Sequence, residues 1–158
     1  MSCACDIVPV ETGAQLDEVR RLFQEYWDSF QFTPCFQNFG TELAGLPGDY
    51  VPPAGRLAVA LVSGEAAGCV ALRAIDSARC EAKRLYVRPK FRTQGIGRLL
   101  LDWAIAEARA IGYRELLGDT MPVMERALAM YDRMGFERIA PYGAKPTEGA
   151  IYIRLCLR

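Results

Sequence analysis

The stretch Phe91–Trp103, FRTQGIGRLLLDW, has two glycines, Gly95 and Gly97, directly before a run of leucines that predicts a helix. Glycine destabilises a helix interior by about 1 kcal/mol relative to alanine. The pair therefore indicates that the backbone, and not a side chain, has a function at this position. The start of a helix offers unbonded N–H groups and about half a positive charge, and it binds phosphate readily. The stretch predicts an anion-binding helix start; the alternative is a glycine-rich turn into an ordinary helix.

The spacing of these glycines excludes two well-known phosphate-binding loops. The dinucleotide-binding pattern G-x-G-x-x-G fails because Leu100 stands where the third glycine is required. The surrounding elements are also not a run of strand–helix–strand units, which that pattern needs. No stretch resembling G-x-x-x-x-G-K-[ST] precedes a helix, so a P-loop is excluded as well.

The segments on either side of this helix predict an α+β fold. Before it lie a first strand, an amphipathic helix with a capping-box pattern at Thr12 and Gln15, a short helix within 37–46, and three antiparallel strands. After it, Gly112 is expected to end the helix, and a strand, a helix ending at Gly135 and a closing antiparallel pair follow. The predicted order is β-α-α-β-β-β-α-β-α-β-β, with helices packed on a mostly antiparallel sheet.

The strand before the glycine stretch, RCEAKRLYV (79–87), changes the parity of its apolar positions. Cys80 and Ala82 are even-numbered, whereas Leu85 and Val87 are odd-numbered. A shift of one residue in the alternation is what a β-bulge produces, and bulges often lie beside active sites. The pattern predicts a bulged strand; an edge strand with mixed faces is the alternative.

Composition and charge limit the classes of protein to which this chain can belong. The chain has 158 residues, 51% hydrophobic and 24% charged, which predicts one globular domain over 1–158. Lys plus Arg and Asp plus Glu both number 19, so the chain as a whole lacks the basic footprint of a nucleic-acid or membrane binder. No apolar run approaches the roughly 18 residues that span a bilayer. The N-terminal residues lack the features of a signal peptide, so we expect a cytoplasmic protein.

The cysteines and the absence of histidine limit the chemistry. The six cysteines include a C-x-C at Cys3 and Cys5 but no C-x-x-C, and the chain has no histidine. A zinc site normally needs clustered Cys or His ligands, so we expect no metal and reduced thiols. Any general base must be a carboxylate, a tyrosine or a water held by one of them.

The residues Arg92–Gly97 match the R/Q-x-x-G-x-G/A pattern of the GNAT acetyltransferase superfamily, and they fall between a strand and a helix as in that family. The resemblance extends over nearly the whole chain. Residues 81–97 resemble the family's strand and acetyl-CoA loop, and 128–136 resemble its later helix-to-strand segment. Residues 140–155 resemble the closing hairpin of some bacterial members.

The resemblance implies an N-acetyltransferase that uses acetyl-CoA as its cosubstrate. It implies that backbone amides after Arg92 hold the pyrophosphate of coenzyme A. It also implies that the strand ending at Val87 opens away from the next strand and bonds the pantetheine arm. The predicted cofactor-binding residues are Leu85, Tyr86, Val87, Arg92, Thr93, Gln94, Gly95, Ile96, Gly97 and Arg98.

Glu81 is the first of two candidate catalytic residues. Acetyl transfer to an amine needs a base for the amine, stabilisation of the oxyanion and a proton for the departing thiolate. Glu81 lies eleven residues before Arg92, the spacing at which several family members carry a catalytic strand glutamate. We expect it to act as the base through a water. The alternative is a paired or exposed strand carboxylate, since many members work without this base.

Tyr131 is the second candidate. Its segment YDRMGF matches the tyrosine that similar proteins place near the coenzyme sulfur as general acid. The alternative is a core aromatic, because Met124, Ala127, Leu128 and Tyr131 recur at helical spacing. Many members have asparagine where this chain has Met124, which puts that contact to the coenzyme in doubt.

The acceptor pocket is expected to have aromatic walls with a few acids, which suits a small cationic amine. Core packing is the alternative for each of these aromatic residues. The predicted wall residues are Phe32, Phe36, Glu42, Asp119, Thr120 and Tyr142.

The leading function is transfer of an acetyl group to a primary amine of a small molecule or a peptide by direct attack in a ternary complex. One alternative is a non-catalytic GNAT-like domain that senses acyl-CoA. Another is a nucleic-acid binder using the basic run between Lys83 and Arg98, which the zero net charge disfavours. We expect no membrane partner, and the sequence leaves a homodimer open.

Overall fold

The computed structural model describes residues 4–29, 39–143 and 149–157. The strands in these ranges are β1 (Cys5–Pro9), β2 (Arg56–Val62), β3 (Glu65–Ala74), β4 (Arg79–Val87), β5 (Glu115–Thr120), β6 (Glu137–Ile139) and β7 (Ile151–Cys156). The α-helices are α1 (Ala14–Asp28), α2 (Phe39–Ala44), α3 (Ile96–Ile111) and α4 (Glu125–Arg133), and a 3₁₀ turn covers Pro89–Phe91. The helices of the described ranges are too short or too polar to cross a lipid bilayer.

The described strands form one sheet in the order β1-β2-β3-β4-β5-β7-β6. The pair β4–β5 is parallel and the other neighbouring pairs are antiparallel. The sequence of elements along the chain is the predicted one, so the prediction of a mostly antiparallel sheet flanked by helices is confirmed.

The predicted capping box at the start of α1 is wrong. The residue that caps this helix is Gly13, with φ +82°, and no side chain bonds to the amides of the first turn. The helix therefore begins one residue later than the pattern requires. Thr12 precedes the cap residue, so its hydroxyl is not placed to accept a hydrogen bond from the amides of the first turn.

The two faces of the sheet carry different helices. Leu57 and Val59 of β2 pack with α1 and α2, whereas the alternating Ala58 and Ala60 pack with α3. Tyr131 of α4 packs into a cluster with residues of α3, so α4 lies on the α3 face. Because both faces of the central strands are covered, β2 and β3 are nearly continuous apolar runs in the sequence.

β4 carries the predicted bulge. Cys69 pairs with Tyr86 and Ala71 with Lys83, so β4 has one more residue than β3 between these two rungs. Arg84 lies within this interval with φ +58°, and its carbonyl accepts a hydrogen bond from Sγ of Cys69 (3.4 Å). The change of parity in the sequence therefore corresponds to a bulge after which the apolar side chains of β4 lie on the other face of the sheet.

β4 and β5 separate partway along their length. Their parallel ladder ends with the pairing of Glu81 and Leu117. β4 continues to Val87 and β5 to Thr120 without pairing with each other. This confirms the expectation that the strand ending at Val87 opens away from the next strand.

Helix α4 has no buried residue, in contrast to the other three described α-helices. It ends at Arg133, and Gly135, directly after the cap residue Met134, has φ +91° and donates its N–H to the carbonyl of Asp132 (3.2 Å). The N–H of Phe136 bonds to the carbonyl of Tyr131 (3.0 Å), which completes a Schellman motif. This end brings the ring of Phe136 to 5.3 Å from that of Tyr131, centroid to centroid.

Candidate active site

A cavity of about 870 Å³ lies at the gap between β4 and β5. It joins the end of β4, the start of α3, the end of β5 and one side of α4. Gln94 and Glu81 are not among its lining residues. The predicted site residues on its wall are Leu85, Tyr86, Val87, Arg92, Thr93, Gly95, Ile96, Gly97, Arg98 and Tyr131.

The start of α3 is open toward this cavity. The N–H of Leu99 bonds to the carbonyl of Gly95 (3.1 Å) and begins the ladder of the helix, so the preceding N–H groups lie at its unbonded end. Gly95 has φ +79°, a conformation that favours glycine. A Cβ on Gly95 would meet no described atom within 4 Å, and one on Gly97 would meet Cγ2 of Val87 at 3.8 Å. Space for a ligand therefore lies directly against the backbone.

The end of β4 is held in place by Arg92. Its Nε donates to the carbonyl of Val87 (2.9 Å), and its guanidinium lies 5.8 Å from the centroid of the Tyr86 ring. Beyond Glu81, the edge of β4 that faces β5 has no strand partner among the residues that the structure describes. Arg92 thus holds the strand end while its charge stays at the cavity wall.

The basic run between Lys83 and Arg98 is largely neutralised within the chain. Arg92 has no carboxylate partner among the described residues, whereas the other five cations do. The pairs are Lys83 with Glu81 and Asp119, Arg84 with Glu42, Arg88 with Glu18 and Glu25, Lys90 with Glu65, and Arg98 with Asp102.

Two arginines at the cavity were missed in the sequence analysis. Arg126 and Arg133 of α4 line its wall, and neither has a carboxylate partner within the described ranges. The signal was their spacing of seven residues, which places both on one side of a helix. With Arg92 they give the cavity three cations that are available to an anionic ligand.

Tyr131 lies on the cavity wall with its ring packed against Phe136. In the described part of the chain, its hydroxyl makes no hydrogen bond. Burial raises the pKa of Tyr131 above its usual value, and the nearby Tyr26 and Asp119 raise it further. The phenol therefore keeps its proton at physiological pH.

Glu81 lies at the foot of the gap, and its side chain is 5% exposed. Its carboxylate accepts hydrogen bonds from the hydroxyl of Tyr142 (2.6 Å) and from Nε of Arg73 (2.9 Å), and Nζ of Lys83 lies 3.6 Å away. Burial alone would raise the pKa of Glu81. Lys83, the bond from Tyr142 and Arg73 together outweigh burial and hold that pKa below its usual value.

The predicted acceptor walls fall in three places. Asp119 and Thr120 line the cavity, and Tyr142 bonds to Glu81. Glu42 accepts a bidentate hydrogen bond from Arg84 (2.9 and 3.1 Å) and so ties α2 to the bulge. The predicted Phe32 and Phe36, like the first residues of the predicted short helix, lie outside the described residues.

The cysteines of the described ranges are free thiols. Burial raises the pKa of Cys69 and raises that of Cys80 to about 12, so both stay protonated. Within these same ranges, no group of three or more His, Cys, Asp or Glu side chains is placed to hold a metal ion.

The chain belongs to the GNAT acetyltransferase family: the family model for "Acetyltransferase (GNAT) family" matches residues 16–136. It is 36% identical to an uncharacterised N-acetyltransferase of Schizosaccharomyces pombe, over 94% of this chain and 93% of that protein. Its fold is similar to that of a GNAT-family acetyltransferase from Staphylococcus aureus (TM-score 0.80, 18% identity, 98% and 100% of the two chains). It is also similar to yncA from Salmonella typhimurium, solved with its cofactor acetyl-CoA (TM-score 0.76, 17% identity, 98% and 95% of the two chains).

Proposed function

We propose that this acetyltransferase moves an acetyl group from acetyl-CoA to a primary amine of a small molecule or a peptide, with both substrates bound at once. The observation that carries the proposal is the meeting of three features at one cavity. These features are the open start of α3, the unpaired edge of β4 and the hydroxyl of Tyr131. Together they offer a site for an anion, a site for an extended arm and a proton donor.

The residues at the cavity fit coenzyme A. The amides before Leu99 and the open space at Gly95 suit a pyrophosphate, because a helix start binds anions through its backbone. Arg92, Arg126 and Arg133 add positive charge without carboxylate partners in the described ranges. The unpaired edge of β4 offers N–H and C=O groups to the amides of the pantetheine arm. When bound, acetyl-CoA supplies the activated acyl group and a thiolate leaving group.

Tyr131 is the proposed general acid. The phenol is protonated when the thiolate departs, as the role requires, although its raised pKa does not make it a stronger acid. Its hydroxyl is unbonded within the described chain, so it is available to the sulfur of a bound donor. Packing against Phe136 keeps the ring in place.

Glu81 as the base, acting through a water, stays a prediction. Its geometry supports a second role as well, since its carboxylate orients Tyr142 and holds Lys83 beside the gap. The two roles differ in pH dependence: removal of a base changes the rate most where the acceptor amine is protonated.

We propose no nucleic-acid partner and no membrane partner. The intramolecular pairing of Lys83, Arg84, Arg88, Lys90 and Arg98 supports this, because these cations are already neutralised by carboxylates. A cytoplasmic location and a homodimer stay open expectations.

A turnover screen tests the proposal. Acetyl-CoA is offered with amines, amino acids, aminoglycosides and peptide N-termini, and release of the free thiol is measured. We expect thiol release with at least one class of primary amine and none with the matched alcohol. Tight binding of acetyl-CoA in calorimetry without thiol release from any amine would contradict the enzyme and favour the acyl-CoA-sensing alternative.

A further inference from the structure

We infer that Asp119, at the end of β5, is the carboxylate that meets the acceptor nitrogen and takes its proton. This inference rests on the proposed function, and it assigns the base to a residue other than Glu81. It starts from where the described carboxylates lie relative to the cavity.

Asp119 lies beyond the point at which β4 and β5 separate. Two residues before it, Leu117 pairs with Glu81 in the last rung of the ladder. Side chains alternate along a strand, so Asp119 shares a face with Leu117, as Lys83 does with Glu81. The carboxylate of Asp119 and Nζ of Lys83 are 4.0 Å apart across the gap. Asp119 therefore lies in the opening itself and lines the cavity.

Glu81 is less well placed to meet an incoming amine. It does not line the cavity, and its side chain is 5% exposed against 22% for Asp119. Hydrogen bonds from Tyr142 and Arg73 occupy its two oxygens. Asp119 has one charged neighbour among the described residues, at the outer limit of an ion pair. A nitrogen in the gap therefore reaches Asp119 without breaking a hydrogen bond within the described ranges.

The groups that face Asp119 come from every side of the opening. Lys83 of β4 is the nearest cation. Burial is the largest cause of the raised pKa of Tyr26, Tyr131 and Tyr142, and the charge of Asp119 raises each of them further. Since Tyr26 belongs to α1 and Tyr131 to α4, the charge of Asp119 acts on side chains from helices on both faces of the sheet. The proposed base and the proposed acid both line the cavity.

The proton steps balance with these two side chains. Asp119 takes one proton from the ammonium of the acceptor, which frees the nitrogen lone pair to form the C–N bond. When the C–S bond breaks, sulfur keeps the bonding electron pair and Tyr131 gives it a proton. Tyr131 recovers a proton from the newly bonded nitrogen, and Asp119 releases its proton to water. The sum is ammonium plus thioester giving amide, thiol and one proton.

The test compares Asp119→Asn with Glu81→Gln, because each removes one charge and keeps the shape of the side chain. We expect Asp119→Asn to lower kcat/KM for the acceptor by roughly 10²-fold while the Kd for acetyl-CoA and the Tm stay near wild type. The loss should shrink as pH approaches the pKa of the amine, since solvent then supplies the deprotonated acceptor. Glu81→Gln is the rival variant: it should lower the Tm, and any loss in its kcat/KM should lack the dependence on the pKa of the amine that Asp119→Asn shows.

A conservative variant separates charge from shape. Asp119→Glu keeps a carboxylate in the gap and should retain activity within about tenfold of wild type, with the same pH profile. The inference is overturned if kcat/KM of Asp119→Asn stays within about twofold of wild type, or if Glu81→Gln shows the larger pH-dependent loss of kcat/KM. It is also overturned if Asp119→Asn and Asp119→Glu lose kcat/KM to the same extent. Thiol release that is absent from the wild type overturns the proposed function itself. An active wild type with an equally active Asp119→Asn overturns this inference alone.

Discussion

Glu81 and Leu117 form the last rung of the parallel ladder between β4 and β5. On one side of this rung the strands are hydrogen-bonded as in an ordinary sheet. On the other side Lys83 and Asp119 face each other across an open gap at 4.0 Å. The position of the site is therefore set by the point where strand pairing stops. Lys83 and Asp119 each lie two residues beyond the last paired residue of their strand.

The role of Gly95 is tested with a matched glycine elsewhere in the fold. Gly13 and Gly95 both precede a helix with φ near +80°, and neither has a described atom within 4 Å of an added Cβ. Alanine is strained at both positions: Gly95 is in the left-handed αL region with ψ 11°, whereas Gly13, with ψ −160°, is in a region that is essentially restricted to glycine. We expect Gly95→Ala to lose about 1 kcal/mol of stability and Gly13→Ala at least as much. Gly95→Ala alone should weaken acetyl-CoA binding in calorimetry, by about tenfold or more, or about 1.4 kcal/mol. Equal affinities in the two variants would remove Gly95 from the binding site.

Gly97 allows a test in which stability and binding move in opposite directions. It lies in the first turn of α3 without a positive φ, and an added Cβ would approach Cγ2 of Val87 at an ordinary 3.8 Å. Gly97→Ala should raise the free energy of unfolding by up to about 1 kcal/mol, because alanine favours the helix. The same Cβ would occupy space beside the helix amides and should weaken acetyl-CoA binding. An alanine variant that is both more stable and equally tight would contradict the predicted phosphate site.

Tyr131→Phe should separate packing from proton donation. The hydroxyl has no hydrogen bond to the described residues, so its loss should leave the Tm near wild type. The kcat should fall by roughly 10²-fold with KM for acetyl-CoA little changed. Because the pKa of Tyr131 is raised, wild-type kcat should not decline through ionisation of this phenol up to its usual value near 10.

The control for that variant is Tyr113→Phe. Tyr113 donates to the carbonyl of Ala54 (2.7 Å) and lies away from the cavity. Loss of this hydrogen bond in Tyr113→Phe should lower the free energy of unfolding by about 1 kcal/mol and leave kcat unchanged. If Tyr131→Phe, with chemistry shown to limit the rate, behaves like wild type in kcat, then Tyr131 is only a core aromatic.

The environment of Glu81 predicts a pH dependence of stability. The pKa of Glu81 is held below its usual 4.5 in the folded chain, so the ionised group stabilises the fold above that pH. This contribution is lost as pH falls below 4.5 through the folded pKa. Urea unfolding of wild type and Glu81→Gln should differ at neutral pH, and the difference should shrink on acidification. A difference that is constant from pH 7 to pH 3 would contradict the assigned ion pairs.

The sequence predicted features that depend on neighbours along the chain. The parity change between Ala82 and Leu85 identified the bulge, because each residue reports its own face of the sheet. Gly112 and Gly135 marked helix ends for the same local reason. The capping box failed although its pattern was local, since Gly13 adopts a conformation that shifts the start of the helix.

The environment of the candidate catalytic groups could not be read in this way. Glu81 meets Tyr142 across 61 residues of sequence and Arg73 through strand pairing. Asp119 and Lys83 meet because two parallel strands diverge at a particular rung. Such contacts depend on register between distant segments, so the sequence nominated Glu81 as the base and Asp119 only as a wall of the acceptor pocket.

Helix α4 carries the proposed acid and two cavity arginines, and it has no buried residue of its own. A helix gains most of its stability by burying one face, and the inner side of α4 faces the cavity. Bound acetyl-CoA would therefore cover the inner side of α4, as core side chains cover the inner side of other helices. We expect amide hydrogen exchange in α4 to slow markedly when acetyl-CoA binds, while the well-buried α3 changes only in its first turn. The helix that protonates the leaving group would then be fully ordered while a donor is present and would loosen after the product has left.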